Sequence, residues 1–217
     1  MKEKIKLEKG AFEATARSQG LSLVGTDEVG RGCIAGPVYA AAVSLDYESL
    51  FKLSKKDLSL IRDSKTLSSA QRQYMLPLIK SVATAYAIGI ASVNDIETFG
   101  IVPATFSAMT RALEQLPQQY DLLLIDGRSP IPDYPGEQRA FIKGDSLIYA
   151  IAAASILAKE ARDQHMKEAD TSYPGYGFAQ HVGYGTKQHL QALADIGICP
   201  LHRRNFAPIR NYVSLEG

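Results

Sequence analysis

The chain has 217 residues, of which 46% are hydrophobic, and 24 basic against 23 acidic side chains give a formal net charge of +1. This length allows one well-filled core, and the balanced charge excludes a uniformly basic or acidic protein. The two cysteines, Cys33 and Cys199, lack Cys-x-x-Cys spacing, so the sequence indicates neither a disulfide framework nor a zinc site.

Targeting signals are also missing from the sequence. No apolar run approaches the roughly 20 residues that a membrane-spanning helix needs, and residues 1–20 are charged and amphipathic rather than a secretory signal. We therefore expect a cytoplasmic protein that does not interact with membranes. Basic residues cluster in three stretches, which either bind phosphates or only solvate the surface: Lys52, Lys55 and Lys56; Arg62 and Lys65; and His202, Arg203, Arg204 and Arg210.

The first half of the chain predicts strands followed by alternating helices and strands. A helix or arm at 2–18 precedes strands at 21–28 and 38–45, whose connection is short enough for a hairpin. Helices are predicted at 47–53 and 69–81, the second capped by Ser68 or Ser69, with a polar loop at 62–67 between them. A strand at 84–92 follows.

The second half continues the alternation. We predict a short helix to residue 99 capped by Asn94 or Asp95, a helix at 103–116, and strands at 120–125 and 139–143. A largely apolar helix runs from 146 to about 166, and a glycine- and aromatic-rich loop at 173–185 precedes a helix at 186–196. The pattern predicts an α/β fold, with a mixed central sheet flanked by helices.

The stretch 25–36 contains the most informative residues. Asp27 and Glu28 end an apolar run and precede Gly30, Arg31 and Gly32. Burial of an uncompensated carboxylate costs several kcal/mol, so acids at a strand end indicate pairing or a bound metal. The glycines allow close approach of a ligand to the backbone, and the arginine can meet a phosphate. Because consecutive strand residues point to opposite faces, we expect the strand to end or bulge at the two acids.

Four acids lie at element boundaries, namely Asp27, Glu28, Asp126 and Asp145. Such hard oxygen donors suit Mg²⁺ or Mn²⁺, and two ions about 4 Å apart would activate a water and stabilise the leaving oxygen of a phosphodiester. Each acid has a simpler interpretation. Asp126 with Gly127 is also a common turn pair, and Asp145 precedes a strong helix that it could cap.

The remaining charged residues leave two interpretations open. Lys143, Lys159 and Arg162 either hold phosphates or solvate helix ends. The histidines lack metal-ligand spacing, which favours structural roles.

Several motifs together resemble the ribonuclease HII family, the bacterial type 2 ribonuclease H. The matching segments follow the family's order from near residue 21 to residue 206. They are Asp27-Glu28-Val29-Gly30-Arg31-Gly32, Ala35-Gly36-Pro37-Val38, Asp63-Ser64-Lys65, Ile125-Asp126-Gly127, Lys143-Gly144-Asp145, Ala152 to Lys159 with Arg162-Asp163, Gly183-Tyr184-Gly185-Thr186, and His202-Arg203-Arg204 with Phe206.

The resemblance implies an RNase H-like fold and metal-dependent hydrolysis of the RNA strand of RNA/DNA hybrids. It also implies cutting on the 5′ side of single ribonucleotides in duplex DNA, which leaves 3′-hydroxyl and 5′-phosphate ends. On this basis we divide the chain into an N-terminal helix or arm (1–20), a catalytic core (21–170) and a C-terminal helical and basic segment packed on the core (171–217), together one domain. We expect a monomer.

The resemblance also implies roles for individual residues. Asp27, Glu28, Asp126 and Asp145 match the family's metal ligands, which favours Asp145 as a ligand that could also cap the helix. Gly30, Arg31 and Gly32 match the loop that contacts the 2′-hydroxyl and a neighbouring phosphate. Tyr184 matches an aromatic residue at the ribose junction, although a tyrosine between glycines can also pin a turn. Lys65 and Lys143, in two further matched segments, are expected to bind substrate.

The sequence departs from the family pattern at two positions. Val182 stands where lysine is common, which weakens an expected phosphate contact, and Glu160 replaces a usual apolar residue. The sister family, ribonuclease HIII, has an extra N-terminal domain and usually lysine in the glycine loop, whereas 26 residues precede Asp27 here and residue 31 is arginine.

Two other functions are compatible with the carboxylates alone. A Mg²⁺-dependent phosphohydrolase would act on small phosphate esters without nucleic acid. A non-catalytic nucleic-acid-binding protein would bind in a salt-dependent manner without cleavage. The resemblance also allows a clamp-binding tail, but residues 213–217 give no clear signal for one.

Overall fold

The computed structural model describes residues 8–117 and 119–213, and within them a five-stranded mixed sheet forms the centre. Residues 1–7 of the predicted N-terminal arm lie outside the described residues, as do residues 214–217 at the end of the tail. The strands are β1 (Leu23–Val29), β2 (Val38–Leu45), β3 (Ala83–Ala91), β4 (Leu122–Asp126) and β5 (Gln138–Phe141). Their spatial order is β3-β2-β1-β4-β5.

Helices cover both faces of the sheet. They are α1 (Ala11–Ser18), α2 (Tyr47–Leu50), α3 (Lys55–Leu60), α4 (Ser69–Val82), α5 (Val93–Phe99), α6 (Ile101–Leu113), α7 (Gly144–Leu147), α8 (Tyr149–Ser172), α9 (Phe178–His181), α10 (Lys187–Ile196) and α11 (Ile209–Val213), with a 3-10 turn at Ser64–Thr66. No helix among the described residues is long and apolar enough to cross a membrane.

β1 is the strand on which the sheet is centred. It pairs antiparallel with β2, as the predicted hairpin requires, and parallel with β4, so that Thr26 lies opposite Ile125. Side chains alternate between the faces: Leu23 and Leu124 pack against α8, whereas Val24 and Ile125 pack with the apolar residues of α6. The two apolar layers that hold the sheet therefore meet at this pair of strands.

The close approach of α8 to the sheet depends on a glycine. A Cβ atom placed on Gly25 would lie 2.5 Å from the backbone carbonyl carbon of Ala150, so no larger residue fits without displacing the helix. The first half of α8 is correspondingly rich in buried alanine and isoleucine. This helix is the one predicted from residue 146, but it starts later and extends to Ser172.

A break at Ile148 divides the predicted helix into α7 and α8, and the N-terminal segment stabilises the break. The Glu13 carboxylate accepts hydrogen bonds from the Tyr149 N–H (2.8 Å) and the Ala150 N–H (3.1 Å), which are free donors at the start of α8. Lys9 Nζ donates to the carbonyl oxygens of Ile61 (2.7 Å) and Asp145 (2.9 Å). The first described residues thus support the segment that carries Asp145.

Most predicted elements are present, with shifted ends. Ser68 caps α4 in a capping box with Gln71, as its sequence predicts. The prediction of Asn94 or Asp95 as the cap of α5 was wrong, because Ser92 accepts from the Asp95 N–H and the helix begins at Val93. The short helix α3 lies in a stretch where none was predicted.

Candidate active site

Asp27 and Asp126 occupy matching positions at one end of neighbouring parallel strands. The register places Thr26 opposite Ile125, so the next residue of each strand is an aspartate. Asp27 shares its face with Leu23, and Asp126 shares its face with Leu124, both of which pack on the α8 side. The two carboxylates therefore stand side by side on one face of the sheet.

The Asp27 carboxylate is nearly inaccessible, with 5% of the residue exposed. It accepts a hydrogen bond from the Ser155 hydroxyl on α8 and a 2.7 Å bond from the Glu28 N–H. These bonds do not compensate for the loss of solvent. Burial, reinforced by the negative charges of Glu28 and Asp126, raises the pKa of Asp27 well above its ordinary value.

Glu28 points away from Asp27, to the α6 side of the sheet. The expectation that the strand ends or bulges at the two acids was wrong, because regular pairing with β2 continues through Val29. Glu28 lines an open cavity of about 530 Å³ together with Asp126, Lys143 and residues of α6. Its carboxylate forms a 3.1 Å ion pair with Arg31.

Asp145 lies in the first turn of α7, next to Asp126. It does not occupy the N-cap position, which belongs to Lys143 in a left-handed conformation, so the capping interpretation was wrong. Instead, Asp126 Oδ1 accepts a 2.7 Å hydrogen bond from the Gly144 N–H at the start of this helix. Burial, followed by the charges of Asp63 and Asp126, raises the pKa of Asp145 to about 6.

We call Asp27, Glu28, Asp126 and Asp145 the acidic cluster. Burial is the main cause of the raised pKa of three members, and like charges add to it. Within residues 8–117 and 119–213, no three carboxylate, imidazole or thiol groups converge as a finished metal site. The donor set nevertheless fits a divalent cation, because carboxylate oxygens are hard ligands and a cation would offset their repulsion.

Two buried arginines hold the glycine loop that follows β1. Arg203, which is fully buried, donates to the carbonyl oxygens of Gly30 (2.7 Å), Arg31 (3.0 Å) and Gly36 (2.7 and 2.9 Å). Gly30 has φ 97°, and a Cβ there would lie 2.3 Å from Nε of Arg162. Only glycine fits this position.

These contacts correct the predicted basic surfaces. Arg162 is fully buried and donates to the carbonyl oxygens of Pro37, Val182 and Ala35, so it neither solvates a helix end nor faces a phosphate. Lys159 pairs with Asp163 at 2.6 Å. His202 and Arg203 are buried, so they are not part of a phosphate-binding face.

The remaining predicted residues lie near the acidic cluster. Lys65 is exposed; partial desolvation lowers its pKa, but Asp27 and Asp63 outweigh this effect and raise the pKa overall. Tyr184 is 38% exposed; burial raises the pKa of its hydroxyl, and the Lys65 ammonium lies near enough to oppose this shift. Arg31 and Gly32 are exposed in the glycine loop.

Some contributing residues were not predicted. Ser155 bonds to Asp27 and its hydroxyl lies 3.0 Å from that of Ser64; as the one hydroxyl in a run of buried apolar residues, Ser155 gave a signal that could have been used. Arg72 donates to the carbonyl oxygen of Leu67 (2.9 Å), beside the loop that carries Lys65. No local pattern identified Arg72.

Comparison with protein families and curated proteins gives a consistent result. A family model described as Ribonuclease HII matches residues 24–209. A ribonuclease HII of Parasynechococcus marenigrum is 46% identical over 184 residues, which cover 85% of this chain and 81% of that protein. A ribonuclease HII of Dehalococcoides mccartyi is 43% identical over 204 residues, covering 94% of both chains.

Solved structures share the fold at low sequence identity. The ribonuclease H2 of Pyrococcus horikoshii gives a TM-score of 0.74 at 20% identity, covering 90% of this chain and 98% of that one. The RNase HII of Archaeoglobus fulgidus, solved in complex with PCNA, gives 0.67 at 21% identity over 86% and 95% of the two chains. Bst-RNase HIII in complex with Mn²⁺ gives 0.68 at 18% identity over 95% and 81%.

Proposed function

The chain belongs to the ribonuclease HII family, and from this premise we propose that it cuts on the 5′ side of single ribonucleotides in duplex DNA as well as within RNA/DNA hybrids. The protein is a metal-dependent endoribonuclease of RNA/DNA hybrids, as the family is. This activity sets aside the small-phosphate-ester and non-catalytic alternatives.

The acidic cluster is the proposed site for Mg²⁺ or Mn²⁺. The observation that carries this assignment is the pairing of Asp27 with Asp126 at matching ends of parallel strands, where burial raises the pKa of both and the charge of Glu28 adds to the effect on each. Asp145 stands close enough to Asp126 for the charge of one to raise the pKa of the other. Glu28 would approach from the opposite face, where it now pairs with Arg31.

The chain's own residues orient the reaction. The acidic cluster would hold divalent ions, which would supply activation of a water for attack on phosphorus and stabilisation of the leaving 3′ oxygen. Ser155 and the Glu28 N–H hold the Asp27 carboxylate in place, and the Gly144 N–H holds Asp126. Breaking the P–O3′ bond leaves a 3′-hydroxyl and a 5′-phosphate.

Substrate recognition is assigned to residues around the cluster. Gly30, Arg31 and Gly32 would contact the 2′-hydroxyl and its phosphate, and Tyr184 would pack on the ribose at the junction. The hydrogen bonds from Arg203 support this assignment, because they fix the backbone of the loop through the carbonyl oxygens of Gly30, Arg31 and Gly36.

Two lysines would hold the substrate backbone. Lys65 lies near Tyr184 and the acids, and Lys143 lines the cavity with Glu28 and Asp126. An exposed ammonium beside a nuclease site is suited to a phosphate. Val182 supplies no such charge at the position where lysine is common.

The deciding experiment uses end-labelled duplexes: DNA with one embedded ribonucleotide, an RNA/DNA hybrid and an all-DNA control. Each is incubated with Mn²⁺, Mg²⁺ or chelator. We expect a metal-dependent cut 5′ of the ribonucleotide and none in the all-DNA duplex. Cleavage of the hybrid without cleavage at the single ribonucleotide would contradict the junction activity, and comparison of the two rates identifies the better metal.

We further propose a cytoplasmic monomer. Light scattering during gel filtration should give a mass near 23.6 kDa. A mass of twice this value at micromolar concentration would contradict it.

A further inference from the structure

Three of the four histidines form a buried cluster beneath the loop that carries Tyr184. We call His181, His189 and His202 the histidine cluster; each is at most 7% exposed. The rings of His181 and His189 stack with centroids 4.2 Å apart and planes at 12°. None of them belongs to the acidic cluster, so their burial needs a separate explanation.

Hydrogen bonds connect this cluster into a chain. The Cys199 backbone nitrogen lies 2.8 Å from His202 Nδ1, and His202 Nε2 lies 3.0 Å from His189 Nε2. His189 Nδ1 then lies 2.9 Å from the carbonyl oxygen of Tyr184. Two imidazole rings thus join the C-terminal segment to the backbone of Tyr184.

The chemistry of the two ends fixes every proton in the chain. The Cys199 N–H can only donate, so His202 Nδ1 accepts and its proton resides on Nε2. That proton is donated to His189 Nε2, which leaves His189 with its proton on Nδ1. This proton is donated to the Tyr184 carbonyl oxygen, which can only accept.

The opposite assignment fails at both ends. His202 Nδ1 also lies 3.2 Å from the Cys199 carbonyl oxygen, a longer contact that a proton on Nδ1 would satisfy. That choice would set an N–H against the Cys199 N–H at 2.8 Å. It would also leave His189 Nδ1 without a proton. Two acceptors, this nitrogen and the Tyr184 carbonyl oxygen, would then face each other at 2.9 Å. A single tautomer pair therefore satisfies the chain.

Burial keeps both rings neutral. Loss of solvent lowers the pKa of His189 to about 4, and it lowers the pKa of His202 to about 4, where the nearby His189 adds to the effect. A neutral pair is what the donor and acceptor order requires, since a second N–H on His202 would face the Cys199 N–H at 2.8 Å and one on His189 would face the N–H of His202 Nε2 at 3.0 Å.

The same chain also reaches the glycine loop. His202 forms a backbone bridge with Ala35, and Arg203, the next residue, donates from its N–H to the Ile34 carbonyl oxygen at 2.9 Å. The Gly183 carbonyl oxygen accepts from the Ile34 N–H at 2.9 Å. The histidine cluster therefore lies between the Tyr184 loop and the loop that contains Gly30 and Gly32.

We propose that His189 and His202 are positioning residues, which set the place of Tyr184 relative to the glycine loop through one ordered chain of hydrogen bonds. This inference rests on the proposed role of Tyr184 at the ribose junction. It predicts that breaking the chain damages cleavage at single ribonucleotides more than cleavage of hybrid tracts, which offer several ribonucleotides to the glycine loop.

The first test reads the tautomers in the intact wild-type protein. Nitrogen NMR of ¹⁵N-histidine-labelled protein at neutral pH distinguishes a proton on Nδ1 from one on Nε2. We expect His189 to carry its proton on Nδ1 and His202 on Nε2. A proton on Nε2 of His189, or a charged ring at either residue, would overturn the proposal without any reference to activity.

The second test compares two variants on two substrates. His189→Phe keeps an aromatic ring but removes both hydrogen bonds, whereas His189→Asn retains a donor near the position of Nδ1. For His189→Phe we expect kcat on the single-ribonucleotide duplex to fall at least 10-fold more than kcat on the hybrid tract, and His189→Asn to recover part of this loss. Equal losses on both substrates would mean a merely structural role and overturn the proposal.

Two controls separate this proposal from the proposed function. His165→Phe changes the histidine outside the cluster and should leave the substrate ratio unchanged. Tyr184→Ala should lose the single-ribonucleotide activity selectively. If it does and His189→Phe does not, only the positioning proposal is wrong; if Tyr184→Ala shows no selectivity, the role of Tyr184 and the positioning proposal are both wrong.

Discussion

Asp27 is placed where a carboxylate is costly to the fold. It is buried beside Asp126 and feels the charge of Glu28 as well, with a serine hydroxyl and one N–H as its hydrogen-bond donors. A group with a raised pKa is less favourable when charged in the folded state than in the unfolded chain. The metal-free protein therefore carries an electrostatic strain at its centre that a bound cation would relieve.

We predict that Asp27→Asn abolishes cleavage while raising the melting temperature of the metal-free protein. Removal of one charge should stabilise the fold by about 1 kcal/mol, or about 2–4 °C for a chain of this size. Thermal unfolding with chelator and with added Mn²⁺ tests this, and the ion should stabilise the wild type more than the variant. Asp195→Asn, which changes an exposed acid of α10, is the control. A melting temperature of metal-free Asp27→Asn below that of the wild type would contradict the inferred electrostatic strain.

The two glycines that flank Arg31 differ in what a methyl group would meet. At Gly30 it would strike Arg162 and force a left-handed conformation, whereas at Gly32 it would have nothing within 4 Å. The folded chain therefore does not require glycine at position 32, so any requirement for it would come from a substrate that approaches the backbone closely.

We expect Gly30→Ala to lose about 1–3 kcal/mol of unfolding free energy, since the strained backbone and the clash persist. Gly32→Ala should unfold like the wild type but bind the hybrid more weakly. Urea unfolding and fluorescence anisotropy with the labelled hybrid measure the two effects. Tight binding by Gly32→Ala would show that the substrate does not approach this position.

Helices α4 and α8 are joined by a buried ion network. Arg72 on α4 contacts Glu160 at 2.5 Å and Asp163 at 3.0 Å, and all three side chains are at most 11% exposed. Glu160 is the departure from the usual apolar residue, so the network gives that substitution a physical reason. Lys159 also neutralises Asp163.

We predict that Arg72→Leu costs about 3–5 kcal/mol, because it leaves Glu160 buried without its partner. Adding Glu160→Leu should recover part of this loss, since Asp163 retains Lys159. Urea unfolding of the single and double variants gives the difference. Arg111→Leu, which removes a more exposed pair with Asp95, should cost about 1 kcal/mol or less; equal losses would show that burial is not the cause.

Local signals explain which elements could be predicted. The capping serine of α4, the apolar run of β2 and the Thr186 cap of α10 each act within a few residues, and the elements follow. The break at Ile148 gave no such signal, because its support comes from Glu13, which is 136 residues from Tyr149 in sequence. The segment that carries Asp145 is likewise held by a contact distant in sequence, so local signals alone suggested that Asp145 caps a helix.

Sequence motifs named the candidate site residues but not their geometry. Motifs identified the acidic cluster, and alternation in the strand indicated that Asp27 and Glu28 diverge. The expectation of a bulge was wrong because pairing with β2 extends to Val29. Arg162 and Arg203 gave the signal of surface cations, and only the tertiary structure shows that they bind backbone carbonyl oxygens.

At the scale of the whole molecule, the N-terminal segment lies outside the matched family residues 24–209 yet contacts the centre. Lys9 and Glu13 support the segment with Asp145 and the start of α8. We predict that deletion of residues 1–20 lowers the melting temperature and weakens stabilisation by Mn²⁺. Differential scanning fluorimetry measures both, with Thr15→Ala on α1 as the control. A deletion variant with wild-type stability and metal response would contradict this.

The hydrogen bonds from Arg203 to the glycine loop have a consequence for synthesis of the protein. Arg203 is 173 residues later in the chain than Gly30, whose carbonyl oxygen it binds. At about 5–20 residues per second, a ribosome adds this arginine roughly 9–35 s after the glycine. The loop that would touch the ribonucleotide therefore takes this shape only after Arg203 has been synthesised, so a nascent chain that stops short of Arg203 would lack these hydrogen bonds to its glycine loop.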